Sequence, residues 1–371
     1  MKGQTTHQKK QVIFHIAIYK LSSIGDVTLS TACINLLQQL PSPPKITWIA
    51  KKSTLSFLKN FFPQINMIEL TKEKTLTTTI EELKDVDFLV DLQGNLKSFF
   101  FRNFFWIRHK KNVYSFTRPR LDRNKIIIKS FFYGRSVVPI KRQSPQRQYE
   151  LMNQTLFKAL QFEFPECIAK LSTENATPFL PVRKSDCSSY KILSPLLSNN
   201  SNWIGIAPGA SYSTKRAPVF IFTQIINQIE ILLKKKKHTF KLVFLGNKLD
   251  RQLSELIIEK ISEDIDCINL AGKLSLSQTS SAIKMCQCLL ANDSALTHIA
   301  EAVDIPSITL FGPTSEYFGF APFRKKSKAF SSQLGCRPCS KHGEKSCRYK
   351  DRLCFTNLPV LEISKYISDL V

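Results

Sequence analysis

The 371-residue chain is 43% hydrophobic and carries only 12 Gly and 18 Pro, which excludes a disordered, collagen-like or low-complexity protein and leaves enough apolar mass for two cores. No uncharged apolar run reaches the roughly 18 residues of a spanning helix, so a soluble globular protein is expected. With 53 Lys and Arg against 29 Asp and Glu the formal charge is +24, which favours an anionic partner: nucleic acid, an acidic membrane surface or a phosphorylated substrate.

The N-terminus is basic (Lys2, Lys9, Lys10), but the apolar run 12–19 that follows is short, contains His15 and leads to no small-residue cleavage site. A cytoplasmic protein is therefore expected. Short β-rich runs then alternate with helical ones, the pattern of parallel α/β layers. Strands are predicted at 12–19, 45–50 and 87–92 with a helix at 27–40, and these form one Rossmann-like half. Strands at 203–209, 241–246, 288–293 and 307–312, with helices at 218–233, 250–261 and 294–303, form a second. The Ser-, Asn-, Thr- and Pro-rich stretch 172–202 fits a linker, which gives domains at 1–171 and 203–371. In open α/β sheets ligands bind beyond the carboxyl ends of the strands, so the residues just after strands are the informative ones.

The first such segment is LSSIGDVTLS (21–30). Ser22, Ser23 and Gly25 allow a tight turn, and Asp26 stands at the mouth of the next helix, either capping it or projecting as a general base. The second is APGASYSTKRAP (207–218), a small-residue loop with Lys215 and Arg216 ahead of a Pro-started helix. Free N–H groups and the positive end of a helix dipole there suit phosphate, although no Walker A pattern is present; the alternative is a solvated basic turn. The third is LLANDSALTHIAEAVDIPSITLFGPT (289–314). Asp293 precedes a helix whose first N–H groups, at Ser294, Ala295 and Leu296, are suited to a diphosphate; Asp293 itself reads equally well as a helix cap, and His298 as a structural histidine.

Together, LSSIGDV, TKR before a Pro-started helix, and NDSALTHIAEAVDIPSITLFGPT resemble the motifs of glycosyltransferase family 9, the heptosyltransferases of lipopolysaccharide core synthesis, in order and over about 12–340. The resemblance implies a GT-B fold, with two Rossmann-like domains whose parallel sheets face across a cleft. It also implies inverting transfer of heptose from ADP-heptose without a catalytic metal or cofactor. By the same resemblance Asp26 is the general base, Lys215 contacts the diphosphate, Asp293 contacts the sugar, and Ser294, Ala295 and Leu296 cradle phosphate. Ser211 falls at the phosphate loop, Leu274 in KLSLSQ (273–278) near the adenine, and Asp250 near a ribose-binding acid. Ala295 and Ala217 replace the family's usual Gly and Trp, which bears on which sugar is transferred. The alternatives are a protein heptosyltransferase, a transferase using another nucleotide sugar, or a catalytically silent lipid- or nucleic-acid-binding module.

Two further segments stand out. Residues 94–147 hold fourteen Lys and Arg against the single acid Asp122, with aromatic clusters interleaved, as in FFFRNFFWIRHKK (99–111). These are either helices with aromatic residues inward and charges outward, or a surface that docks on anionic lipid and guides a phosphorylated glycolipid acceptor. No nucleic-acid-binding motif is present. The acceptor expected is a lipopolysaccharide-core glycolipid, and the place of action the cytoplasmic face of the inner membrane. Finally, GCRPCSKHGEKSCRYKDRLC (335–354) brings Cys336, Cys339, Cys347 and Cys354 together, as a structural Zn or Fe site, as free thiols or as disulfides. The autotransporter heptosyltransferases, a related group with a four-cysteine metal finger, favour the metal reading.

Overall fold

The computed structural model describes residues 14–71, 75–117, 120–137, 147–169, 171–197 and 202–371. The basic N-terminus, the expected strand start at 12–13, residues 138–146 of the basic stretch and part of the 172–202 linker lie outside them. Two compact units form: residues 1–22, 32–117 and 150–177 make the first, and 23–31, 118–149 and 178–371 the second.

The first sheet has five parallel strands, β1 (His15–Tyr19), β2 (Lys45–Ala50), β3 (Asn66–Glu69), β4 (Phe88–Asp91) and β5 (Val113–Ser115), in the order β3-β2-β1-β4-β5. Helices α1 (Ile24–Gln38), α2 (Lys52–Lys59), α3 (Leu76–Glu81) and α4 (Leu96–His109) connect its strands, and α5 (Arg120–Tyr133) and α6 (Gln148–Glu163) follow. Both faces of a parallel sheet are covered by helices, which is why 16–19 of β1 and 88–90 of β4 are apolar. Their side chains join Phe101 and Phe105 of α4 in one core, with the Tyr19 and Phe101 rings 4.5 Å apart.

The second sheet has six parallel strands: β6 (Trp203–Ala207), β7 (Lys241–Phe244), β8 (Cys267–Asn269), β9 (Cys288–Asn292), β10 (Ser307–Phe311) and β11 (Lys328–Ser331), ordered β11-β10-β9-β6-β7-β8. The helices here are α7 (Lys184–Cys187), α8 (Val219–Lys235), α9 (Asp250–Ile258), α10 (Leu276–Lys284), α11 (Ala295–Ala302), α12 (Leu353–Thr356) and α13 (Val360–Ser368). On α8, Ile221, Phe222, Ile225, Ile226, Ile229 and Leu233 form the buried stripe that the 3.6-residue period requires. Truncating one of them to Ala would cost about 2–5 kcal/mol.

The expected α/β architecture of two parallel-sheet units is therefore present. Four strands, β3, β5, β8 and β11, were not predicted. They are the edge strands of the two sheets, with largely half-exposed residues, so they lack the buried apolar run that marks the central strands. In the second sheet the strand order reverses between β6 and β9. That is the switch point at which a doubly wound sheet opens a crevice, and both expected donor segments start there.

Candidate functional site

Of the residues expected to act, all lie in the second unit, because the first turns of α1 belong to it. The loop after β6 is fastened to the end of β9 by the buried Asn292. Its Nδ2 donates to the Pro208 carbonyl at 2.7 Å, and its Oδ1 accepts the Ala217 N–H at 3.0 Å. Both ends of 207–218 are thus fixed and the middle is left to bulge. Within it, Ser211 is exposed and Lys215 ends a single helical turn, Ser213–Lys215.

Lys215 Nζ reaches Asp293 Oδ2 at 2.7 Å, with only 15% and 12% of the two side chains exposed. Thr314 Oγ1 donates to the same oxygen at 2.7 Å. Burial alone would push the Asp293 carboxyl up, but the Lys215 ammonium and the Thr314 hydroxyl outweigh it and hold the group below its ordinary value. Asp293 makes no cap; Ser294 occupies the cap position of α11 without a capping hydrogen bond. Its Oγ is buried and has no partner, at the mouth of the helix where Ala295 and Leu296 begin the first turn. Helix α11 therefore presents a positive N-terminus, an unpaired hydroxyl and an adjacent ammonium.

Asp26 sits half-buried in the first turn of α1, and the backbone there runs close to α11: a Cβ on Gly25 would lie 2.9 Å from His298 Cδ2 and 3.4 Å from Ala295 Cα. His298 is buried within electrostatic reach of both Asp293 and Asp26. Burial lowers its imidazole below the usual value, against the pull of those carboxylates, so the ring is neutral at pH 7. The sequence reading gave His298 a structural role and did not single out Asn292 or Thr314. Each lies inside the 289–314 segment, yet only the fold shows that Asn292 fixes both ends of the 207–218 loop and that Thr314 bonds Asp293.

Asp250, expected near a ribose, is 3% exposed. One carboxylate oxygen accepts the Asn247 N–H at 2.9 Å; the other faces Arg216 Nη2 at 3.9 Å. Gly209 and Gly246 press on it so closely that a Cβ on Gly209 would fall 2.2 Å from Asp250 Cγ. Leu274 is half-buried just before the Ser275 cap of α10, in a turn that the Gly272 N–H ties to the Gly246 carbonyl at 3.0 Å.

The four clustered cysteines are free thiols, and all four line one cavity of about 220 Å³ together with Ile127, Ser130 and Phe131 of α5. Burial raises Cys339 to about 11 and Cys354 to about 12. Among the described residues, no three or more His, Cys, Asp or Glu side chains are grouped closely enough to hold a metal ion. The thiols thus converge as soft donors without closing into a coordination set.

The basic aromatic stretch divides. In α4, Phe101 and Phe105 face the core, whereas Leu96, Phe99, Phe100, Trp106 and Ile107 are exposed. Arg102 pairs with Asp91 at 3.3 Å and Arg108 with Glu81 at 2.5 Å. Core-facing aromatic residues and exposed apolar ones therefore occur on one helix. No helix among the described residues is long and apolar enough to cross a membrane.

Comparison with known proteins bears on the whole chain. A heptosyltransferase named lipooligosaccharide heptosyltransferase 2 from Haemophilus ducreyi is 31% identical over 178 residues, 46% of this chain and about half (49%) of the relative's length. The solved E. coli ADP-heptose lps heptosyltransferase II has a TM-score of 0.67 at 18% identity, covering 96% of this chain and 98% of that one. The iron-containing dodecameric glycosyltransferase TibC from enterotoxigenic E. coli gives 0.53 at 12% identity, covering 96% of this chain and 76% of its own. The two structures share the fold, which is that of the GT-B heptosyltransferases. The model of one family matches residues 77–350, and the chain accordingly belongs to glycosyltransferase family 9 (heptosyltransferase).

Proposed function

We propose that the protein transfers heptose from ADP-heptose to a phosphorylated lipopolysaccharide-core acceptor. The observation that carries this reading is the cluster of Lys215, Asp293 and the unpartnered Ser294 hydroxyl at the N-terminus of α11, set at the switch point of the second sheet. Such a cluster meets a diphosphate with an ammonium, a hydroxyl and free N–H groups. The similar E. coli ADP-heptose lps heptosyltransferase II supports the choice of nucleotide sugar.

In the reaction, the acceptor hydroxyl attacks the anomeric carbon from the face opposite the diphosphate and gives its proton to Asp26. The bond from that carbon to the phosphate oxygen breaks, ADP keeps the electron pair, and the anomeric configuration inverts. Lys215 and the α11 N-terminus stabilise the charge that develops on ADP, and positioned groups of this kind are each worth on the order of 10²–10³ in rate. Asp293 steers Lys215 and is placed to accept from a sugar hydroxyl. Protein groups supply the neutralising charge, so turnover should persist in a chelator. Asp250, held under Gly209, supports Arg216 and the loop in this reading, and a ribose contact would require its carboxylate to open.

For the four thiols we propose a structural Zn or Fe, supported by their convergence on one cavity and by the iron of the structurally similar TibC. Cys336, Cys339, Cys347 and Cys354 would hold it after drawing together, and it would supply folding energy with no part in the transfer. Elemental analysis of purified protein tests this: less than about one ion per ten chains removes the metal reading. The exposed apolar face of α4 supports a further element, peripheral docking at the anionic inner face of the inner membrane, and with it a cytoplasmic location.

The decisive experiment is calorimetric titration with ADP-heptose, ADP-glucose, UDP-glucose and ADP, followed by transfer to a heptose-deficient core glycolipid and assignment of the product anomer. Selective ADP-heptose binding with an inverted product is expected. Binding of no nucleotide would sink the donor site, and transfer to protein rather than glycolipid would move the acceptor.

A further inference from the structure

Asp293 has two partners at 2.7 Å, Lys215 and Thr314, and each stands on a loop whose carbonyl groups are held by an arginine of the Cys-rich segment. Arg352 Nη2 donates to the carbonyls of Ser213 at 3.4 Å, Thr214 at 3.2 Å and Arg216 at short range, gathering the open end of the turn that carries Lys215. Arg337, which is buried, donates from Nε to the Gly312 carbonyl at 2.5 Å and from Nη2 to the Thr314 carbonyl at 3.0 Å. All three contacts are made by one guanidinium nitrogen; the Ser213 carbonyl also accepts the Arg216 N–H inside the turn at 3.1 Å, whereas those of Thr214 and Arg216 stand at its open end. A lysine in that place ends one bond nearer the backbone, so its ammonium falls short of the carbonyls that Nη2 gathers.

The second contact is steric. Gly343 lies directly on the Lys215 side chain: a Cβ added there would fall 2.5 Å from Lys215 Cγ and 2.8 Å from Cδ, and its φ of +84° is a conformation that favours glycine. Thr214 Oγ1 donates to the Gly343 carbonyl, closing the contact. The lysine stem is therefore laid along the Cys-rich segment on its way to Asp293.

We propose that Arg352 and Gly343 are positioning residues for Lys215, so that segment 335–354 belongs to the donor-binding machinery in addition to any structural role of its thiols. The inference rests on the reading of Lys215 as the diphosphate ligand. Arg352 acts through the lysine: it keeps the turn closed and the ammonium aimed between Asp293 and the α11 N-terminus, and touches no substrate atom.

The test compares calorimetric affinities for ADP and for adenosine, which lacks the diphosphate, in the full-length wild type, Arg352→Lys, Gly343→Ala, Lys215→Ala and the Arg352→Lys/Lys215→Ala double variant, with thermal midpoints beside them. Arg352→Lys should weaken ADP about tenfold and leave adenosine within about twofold. In the Lys215→Ala background it should add nothing, because the group it positions is gone. Gly343→Ala reaches the same lysine from the other contact and should show the same selectivity, which keeps the inference testable if one variant folds poorly. Unchanged ADP affinity in both variants would overturn it, as would equal losses for ADP and adenosine or losses that multiply in the double variant. If Lys215→Ala itself leaves ADP affinity intact, the donor reading fails and this inference with it. If Lys215→Ala weakens ADP while Arg352→Lys and Gly343→Ala do not, the donor reading stands and the positioning inference alone is lost.

Discussion

The Lys215 ammonium and the Asp293 carboxylate are each other's charge partner in a nearly closed environment, 2.7 Å apart. Because Asp293 titrates below its unfolded value, the pair stabilises the fold at pH values above about 3.9 and that contribution is lost as pH falls through the folded value. Lys215→Ala leaves a buried carboxylate without its cation and should cost about 3 kcal/mol at pH 7. Acid then helps the variant by protonating Asp293, so the gap to wild type should close below about pH 4. Urea unfolding of both proteins across this range checks it; a gap independent of pH would show that the pair does not set the carboxyl's charge.

Asp26→Asn removes the proposed proton acceptor and keeps its shape. Turnover should fall by at least about 10² while ADP affinity stays within about twofold, since the proposed donor groups belong to α11 and the 207–218 loop. Single-turnover kinetics and calorimetry on the same preparation separate the two quantities. Residual turnover within about tenfold of wild type would take Asp26 out of the base role.

Sequence alone carried the central strands, because β1, β4, β6, β9 and β10 are buried on both faces and are therefore mostly apolar. It also carried the order of the three motif segments. Contacts made across long sequence distances were not legible: Asn292 reaches Pro208 and Ala217, Arg352 reaches the turn at 213–216, and Gly25 packs on His298. Nothing local marks such residues, since an Asn at a strand end or an Arg in a basic loop is ordinary. The burial of Asp250 was hidden for the same reason; its neighbours Gly209 and Gly246 end strands that come together only in the sheet.

His298 offers a second pH test. Its folded-state pKa lies below the unfolded value of about 6.5, so the unfolded chain takes up a proton first and stability falls as pH drops from about 6.5 toward the folded value. Asp293, Asp26 and Glu301 draw the proton in and Lys215 resists it, with burial the dominant influence. His298→Gln should flatten this part of the stability profile. His15, also lowered by burial, keeps its own share, so the slope should shrink without vanishing. Urea midpoints between about pH 5 and pH 7.5 decide the matter, and an unchanged slope would mean that His298 takes up its proton alike in the folded and unfolded chains.

The exposed face of α4 gives the last prediction. Leu96, Phe99, Phe100, Trp106 and Ile107 recur at spacings of three, four and seven residues, opposite the buried Phe101 and Phe105, with Lys97, Lys110 and Lys111 beside them. Apolar side chains entering the headgroup layer while lysines meet anionic lipid is the arrangement of an interfacial helix. Phe100→Ser/Ile107→Ser alters two side chains already in solvent, so the fold should be kept, and binding to phosphatidylglycerol-containing vesicles should weaken by about tenfold or more. Wild-type binding should also fall as salt rises, since the lysine contribution is screened. Vesicle co-sedimentation measures both effects; equal binding of the double variant, or equal binding of wild type to neutral vesicles, would assign this face to something other than an anionic membrane.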